Sequence, residues 1–122
     1  MSGGAEAVQA ILNQLFDRDD VLGVVAASRE GLVLAVAGMP AEQAALVAAL
    51  GAPLASVSER ALERLGGNQP ELLSIDSADG MIHVRGARDL VLIALTERCE
   101  TLPLGSMLAS VTQQISEVFS LV

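Results

Sequence analysis

Apolar positions divide the chain into helical and extended segments. From Val8 to Phe16 the apolar residues recur three and four positions apart, which is the spacing of one helix face. Two short aliphatic runs follow, 21–28 and 32–37. Arg29-Glu30-Gly31 lies between them, and its glycine suits a tight connection because it adopts positive φ without strain. This part of the chain therefore predicts an amphipathic helix followed by a β-hairpin.

The middle of the chain predicts a second helix that is long and unusually apolar. Residues 44–55 contain no polar side chain. The helix is expected to begin after Pro40 and to end at Gly66-Gly67, a typical carboxyl-terminal signal. Pro53 cannot donate to the helical hydrogen-bond ladder, so we expect a kink or a break at 51–53.

The carboxyl-terminal half predicts three strands and a last helix. The strand candidates are 71–76, 81–85 and 89–96, and their connections are short enough for antiparallel hairpins. Apolar residues from Leu104 to Phe119 then return to helical spacing. The predicted order is α-β-β-α-β-β-β-α in one domain spanning 1–122. This is an α/β fold of the α+β type, in which helices pack on a five-stranded antiparallel sheet as an α/β/α sandwich or a two-layer variant.

The second helix carries two apolar stripes, and a helix that is apolar all round must be buried all round. We expect the bulky stripe to pack on the helix's own sheet; it comprises Leu46, Leu50, Leu54, Val57, Ala61 and Leu65. Small side chains allow close helix–helix approach, so we expect the alanines to meet a second subunit, although a terminal helix of the same chain is an alternative cover. The predicted interface residues on this helix are Ala41, Ala44, Ala45, Ala48, Ala52 and Ala55.

The segment 71–76 is a second feature that favours a homodimer. It contains no lysine and no internal proline, the residues that usually guard an exposed sheet edge. If it forms an edge strand, a second copy can pair with it, which adds Leu72 and Ser74 to the predicted interface. The uninterrupted apolar run 44–55 is shorter than the roughly 20 residues needed to span a bilayer, so we expect no direct membrane insertion.

The net charge of the chain and its few potentially reactive residues exclude several classes of function. The chain has seven arginines, no lysine and fifteen acidic residues, for a net charge of −8, which argues against nucleic acid and anionic membrane surfaces as partners. Without lysine there is no phosphate-binding loop of the nucleotidase type. His83 is interpreted as a partly solvated strand residue, and Cys99 as an unreactive thiol. We therefore predict no enzyme activity and no catalytic, cofactor or metal site. The lone cysteine and an amino terminus unlike a signal peptide favour the cytoplasm.

Three segments together resemble one known family. They are VLGVVAASREGLVLAVAG at 21–38, PAEQAALVAAL at 40–50, and DLVLIAL at 89–95 followed by PLGSM at 103–107. Their order and spacing are similar to the Roadblock / dynein light chain domain family over nearly the whole chain. The resemblance implies a homodimer, or a heterodimer with a similar domain, in which the middle helices pack together and the third strands join the two sheets. It also implies a non-enzymatic regulator or scaffold of a Ras-like small GTPase, of the bacterial gliding and polarity type.

Two other functions remain open at this point: a structural assembly adaptor without a GTPase, and a small-ligand sensor on the same sandwich. Three arginines are candidates for partner binding. Arg29 at the first hairpin tip is interpreted either as an arginine finger or as a solvated turn residue. Arg60 and Arg64 are interpreted either as partner contacts or as helix ion pairs with Glu59 and Glu63.

Overall fold

The computed structural model describes residues 2–70, 72–98 and 101–120, and its elements follow the predicted order. β1 coincides with the predicted range, whereas α1 begins earlier than the apolar spacing indicated. The elements are α1 (Ser2–Phe16), β1 (Val21–Ser28), β2 (Val33–Ala37), α2 (Ala41–Arg64), β3 (Leu73–Ser77), β4 (Gly80–Gly86), β5 (Leu90–Thr96) and α3 (Thr101–Ser120).

The five strands form one antiparallel sheet in the order β2-β1-β5-β4-β3. β1 and β5 lie at the centre, which explains their nearly unbroken aliphatic sequences, since both faces of these strands are covered. Gly31 has a φ of 91° in the β1–β2 connection, as the turn sequence predicted. β2 and β3 are the two edges.

Helices cover both faces of the sheet, so the predicted α/β/α sandwich is confirmed. α1 and α3 pack together on one face, where Leu12, Leu108 and Ile115 are fully buried with Leu92 of β5. α2 lies alone on the other face. The central strands β1 and β5 therefore send alternate side chains into two different cores, one on each face of the sheet.

α2 continues through Pro53 as one helix, so of the two outcomes expected at 51–53, a kink or a break, the break is wrong. Pro53 is exposed, while Ala52 and Ala55 on either side of it are buried against Val84, Val91 and Ile93. Packing on the sheet before and after the proline compensates for the hydrogen bond that the proline removes.

Most residues of the two stripes of α2 face opposite ways to the prediction, although Leu54 of the bulky stripe does pack against the core on the sheet side. Ala44, Ala48, Ala52 and Ala55 are at most 3% exposed because they lie against the helix's own sheet, so their side chains are not available to a partner. The large side chains at this helix–sheet contact are supplied mainly by the strands. A Cβ added to Gly51 would lie 2.4 Å from Ile93 Cδ1, which shows how closely the helix backbone approaches β5. Of the predicted alanines, Ala41 and Ala45 remain exposed.

We predict that Ala52→Leu destabilises the fold by about 1–3 kcal/mol, because a larger side chain must push α2 away from Val91 and Ile93. The free energy of unfolding in urea measures the effect. Ala10→Leu is the matched control, because Ala10 is an exposed position of α1 and receives the same substitution. Equal stability of the two variants would contradict the close packing of α2.

Candidate partner-binding surface

The outer face of α2 is an exposed apolar stripe. Leu46, Leu50 and Val57 are 60%, 62% and 52% exposed, and Pro53 lies exposed between the last two. These four residues follow one another at spacings of four, three and four, which places them on one helix face with the periodicity of a helix–helix seam. We call them the outer stripe. Isolated exposed leucines are ordinary, but a continuous row along a helix marks an interaction site.

The length and composition of α2 are also those of a membrane-crossing helix, and it is the one such helix in the described ranges. Core helices of soluble proteins have the same properties, so this is weak evidence for a membrane. The sheet already covers the face of α2 that carries the buried alanines. The outer stripe is the part of α2 whose apolar surface still needs a cover.

The two edges of the sheet differ in how they are protected. At β2, the side-chain amide of Gln9 in α1 donates to the backbone oxygen of Val36 at 2.7 Å. β3 is the other edge, which meets the condition on which strand pairing was expected, and Ile75, Asp76 and Ser77 are exposed along it. β3 is therefore the edge better suited to pairing with another strand.

The side chains of Leu72 and Ser74, predicted at the subunit interface, are engaged within their own subunit. Leu72 packs against the core shared by α1 and α3, and Ser74 Oγ hydrogen-bonds His83 Nδ1 at 2.8 Å. Pairing of β3 with another strand would therefore use the backbone N–H and C=O groups of β3 and not these two side chains. Sequence analysis missed two exposed apolar neighbours, Ile75 and Ile82, which line a groove of about 230 Å³ with Leu22 and Leu95.

Arg29 is anchored within its own subunit, so the interpretation as a solvated turn residue is wrong, while a role as an arginine finger stays a hypothesis that would require these contacts to break. Its Nη1 and Nη2 donate to Glu59 Oε1 and Oε2 at 2.6 and 3.0 Å. Its Nε donates to the carbonyl of Ala87 at 2.9 Å, and Nη2 donates to the same oxygen. With side-chain exposures of 26% and 21%, the Arg29–Glu59 pair joins the β1–β2 turn, α2 and the β4–β5 turn.

Arg60 and Arg64 are exposed on the last turns of α2. Glu59, the expected helix partner of Arg60, is instead paired with Arg29. The structure thus separates the three candidate arginines: Arg29 holds the fold together, while Arg60 and Arg64 present their charge to solvent.

His83 is fully buried, which corrects its interpretation as partly solvated. Its two ring nitrogens lie 2.8 Å from Ser74 Oγ and 3.0 Å from Thr96 Oγ1, so the imidazole bridges β3 and β5 across β4. Burial lowers the pKa of His83 below its ordinary value of 6.5, although the negative charge of Asp20 acts in the opposite direction. The ring is neutral near pH 7 and serves as a structural bridge.

Among the residues that the structure describes, no group of three or more histidine, cysteine or acidic side chains comes together to hold a metal ion. Cys99 lies outside the residues that the structure describes. The features that stand out are instead a hydrophobic helix face, an open strand edge and exposed arginines, which are properties of a protein–protein surface.

Solved structures with the same fold include proteins from Streptomyces avermitilis, Myxococcus xanthus and Thermus thermophilus. A Roadblock/LC7 domain from Streptomyces avermitilis superposes with a TM-score of 0.84 at 22% identity, covering 92% of this chain and 97% of that one. MglB from Myxococcus xanthus gives a TM-score of 0.83 at 16% identity, covering 97% and 92%. The gliding protein MglB from Thermus thermophilus gives 0.78 at 19% identity, covering 98% and 93%. No curated protein sequence matched the chain.

The topology and the outer stripe define a class of small α/β/α domains that cover one sheet face with a single long helix. The sequence model of the Roadblock/LC7 domain matches residues 7–97, three quarters of the chain. The chain belongs to the Roadblock/LC7 domain family. The family resemblance drawn from the sequence is thereby confirmed.

We predict that the stability contributed by His83 falls as the pH drops below 6.5. The unfolded imidazole takes up a proton near this pH, whereas the buried one has a lowered pKa and resists protonation, so acid favours unfolding. The control is His83→Gln, which keeps a donor and an acceptor but does not titrate. The unfolding free energy of the wild type minus that of His83→Gln should be constant above pH 7 and should fall between pH 6.5 and 5.5 by at most about 1.4 kcal/mol. A difference that grows in acid would contradict the neutral, buried ring.

Proposed function

We propose that this protein is a non-enzymatic, homodimeric regulator or scaffold of a Ras-like small GTPase in the cytoplasm. Membership of the Roadblock/LC7 family supports a regulatory domain, and the likeness to two MglB structures supports a fold used by a gliding protein. The observation that carries the proposal is the outer stripe of α2, an apolar face on a chain that is otherwise strongly acidic.

Two copies can cover the outer stripe by packing their α2 helices against each other. Burying a leucine side chain is worth about 1.5–3 kcal/mol, and a two-fold axis uses Leu46, Leu50 and Val57 from both subunits. A stable interface of standard size buries on the order of 1,600 Å² in total. The α2 helices would supply the apolar centre of such an interface.

The open edge at β3 supplies a second contact with the same symmetry. Antiparallel pairing of β3 with its copy would join two five-stranded sheets, and the backbone hydrogen bonds would fix the register. Because β2 has a backbone carbonyl occupied by Gln9, the assembly is expected to stop at two subunits rather than to extend along the sheet.

The dimer would present to the GTPase a platform that a single subunit lacks. Arg60 and Arg64 lie one and two turns beyond Val57, past the most apolar part of the stripe, where a partner can reach their charges. In this proposal the nucleotide chemistry stays in the GTPase, since the chain has no lysine with which to build a phosphate-binding loop. The regulator acts by favouring one conformation of the GTPase switch regions over the other.

We predict that Leu50→Glu converts the dimer into a monomer, because the substitution places a charge in the centre of the apolar interface. Sedimentation equilibrium at micromolar concentration measures the change. Leu32→Glu is the matched control: Leu32 is 68% exposed, comparable to Leu50, but it lies in the β1–β2 connection. A wild-type protein that is monomeric under the same conditions would refute the dimer.

We predict that Arg60→Glu combined with Arg64→Glu weakens GTPase binding at least tenfold and leaves the dimer intact, because both side chains are exposed charges at the end of α2. Candidate GTPases are captured from the native cytoplasm in the GDP state and in the GTP state, and their affinities are then measured with purified components.

The control for this experiment is Arg98→Glu, which makes the same type of substitution at a single exposed arginine after β5 and is compared with Arg60→Glu and Arg64→Glu made one at a time as well as together. If no GTPase associates in either nucleotide state while the dimer forms, GTPase regulation is refuted. A structural assembly adaptor then becomes the better explanation of the same surface.

A further inference from the structure

The last turns of α2 extend past the part of the helix that packs on the sheet. Ala55 is the last buried residue of α2, and the helix continues to Arg64. We call residues 56–64 the arm of α2. Within the described part of the chain, no residue of the arm takes part in a hydrophobic core. Core packing therefore does not fix the position of the arm.

Glu59 joins the arm to two turns of the sheet. Among the described residues, it is the arm residue whose side chain hydrogen-bonds another element: Arg29 of the β1–β2 turn donates to both of its carboxylate oxygens, at 2.6 and 3.0 Å. The same guanidinium donates through Nε to the carbonyl of Ala87, in the β4–β5 turn, at 2.9 Å. A bidentate contact fixes orientation as well as distance, so Glu59 holds the arm in one position relative to both turns.

The backbone at Gly86 leaves the space that this contact occupies. A Cβ added to Gly86 would lie 3.0 Å from Arg29 Nη2 and 3.2 Å from Glu59 Oε2, which is closer than ordinary Cβ contacts. The ion pair therefore lies directly against the backbone of β4. Because its two side chains are only 26% and 21% exposed, solvent weakens it less than it weakens a surface ion pair.

We propose that Arg29 and Glu59 are positioning residues: they hold the arm against the two turns and thereby fix the directions in which Arg60 and Arg64 meet a partner. Both of these arginines lie on the arm and are exposed. A charge held in one place loses less conformational entropy on binding than a charge on a moving segment. The consequence for the GTPase rests on the proposed function, whereas the anchoring is a property of this protein alone.

Backbone hydrogen exchange of the full chain, followed by NMR, tests the anchoring. Glu59→Gln removes the charge from the ion pair with little change of shape. Because an unanchored helix end frays, exchange of the arm amides should become about tenfold faster or more relative to that of residues 44–55. Glu63→Gln is the matched control, because it makes the same substitution at an exposed position of the arm. Exchange in this variant should follow the wild type.

Arg29→Lys separates the geometry of the contact from its charge. Lysine keeps the positive charge but lacks the planar fork that reaches both oxygens of Glu59 and the carbonyl of Ala87, so the arm should loosen as in Glu59→Gln. The double variant should exchange no faster than the faster single variant, because both substitutions break one contact. Faster exchange along the whole of α2, in proportion to a loss of unfolding free energy in urea, would show a structural role alone and would overturn the positioning role.

The exchange data decide the anchoring. Faster exchange confined to the arm in Glu59→Gln and Arg29→Lys, with Glu63→Gln like the wild type, supports it. Equal exchange of the arm in Glu59→Gln and Glu63→Gln overturns it.

Affinity for a captured GTPase decides the consequence for binding. Glu59→Gln should weaken binding about threefold or more in the wild-type background and should have no further effect when Arg60→Glu and Arg64→Glu are already present. Equal affinity of Glu59→Gln and the wild type overturns the positioning role and leaves GTPase regulation standing. If no GTPase associates with the wild type, the proposed function is refuted, and the anchoring is still decided by hydrogen exchange.

Discussion

The contact between the small-residue face of α2 and the sheet determines how the rest of the surface is arranged. Ala48, Gly51, Ala52 and Ala55 bring the helix backbone close to branched side chains of β1, β4 and β5. Interiors are packed to nearly crystalline density, so Leu46, Leu50 and Val57 have no room between helix and sheet, and only Val47 and Leu54 are partly buried against the core there. The three exposed residues are therefore directed outward, and the same contact that stabilises the monomer creates its apolar outer stripe.

Two further features follow from the position of α2 along the sheet. The helix covers the central strands but leaves Ile75 and Ile82 exposed beside the β3 edge, so apolar surface and an open edge adjoin. At the other end of α2, Glu59 pairs with Arg29, which also donates to the carbonyl of Ala87, so the end of the helix is joined to the β1–β2 and β4–β5 turns.

Local periodicity and short connections were sufficient to predict the element order and the antiparallel sheet, because both depend on nearby residues, whereas the position of β3 at an edge depends on the strand order of the whole sheet. The orientation of α2 was not predictable from hydropathy, since both of its stripes are apolar. Gly51 was the overlooked signal: it falls in line with Ala44, Ala48 and Ala55, and a glycine inside a helix indicates close approach of a neighbour. The Arg29–Glu59 pair joins residues 30 positions apart and left no local pattern, and the burial of His83 depends on strands that meet only in the sheet.

The central claim is that the outer stripe of α2 is the contact between two subunits. Isotope-filtered NOE spectroscopy on an equal mixture of ¹³C-methyl-labelled and unlabelled protein tests it most directly. The claim predicts NOEs between subunits at the methyl groups of Leu46, Leu50 and Val57. A dimer whose intersubunit NOEs come from other methyl groups, with these three still in contact with solvent, would contradict it.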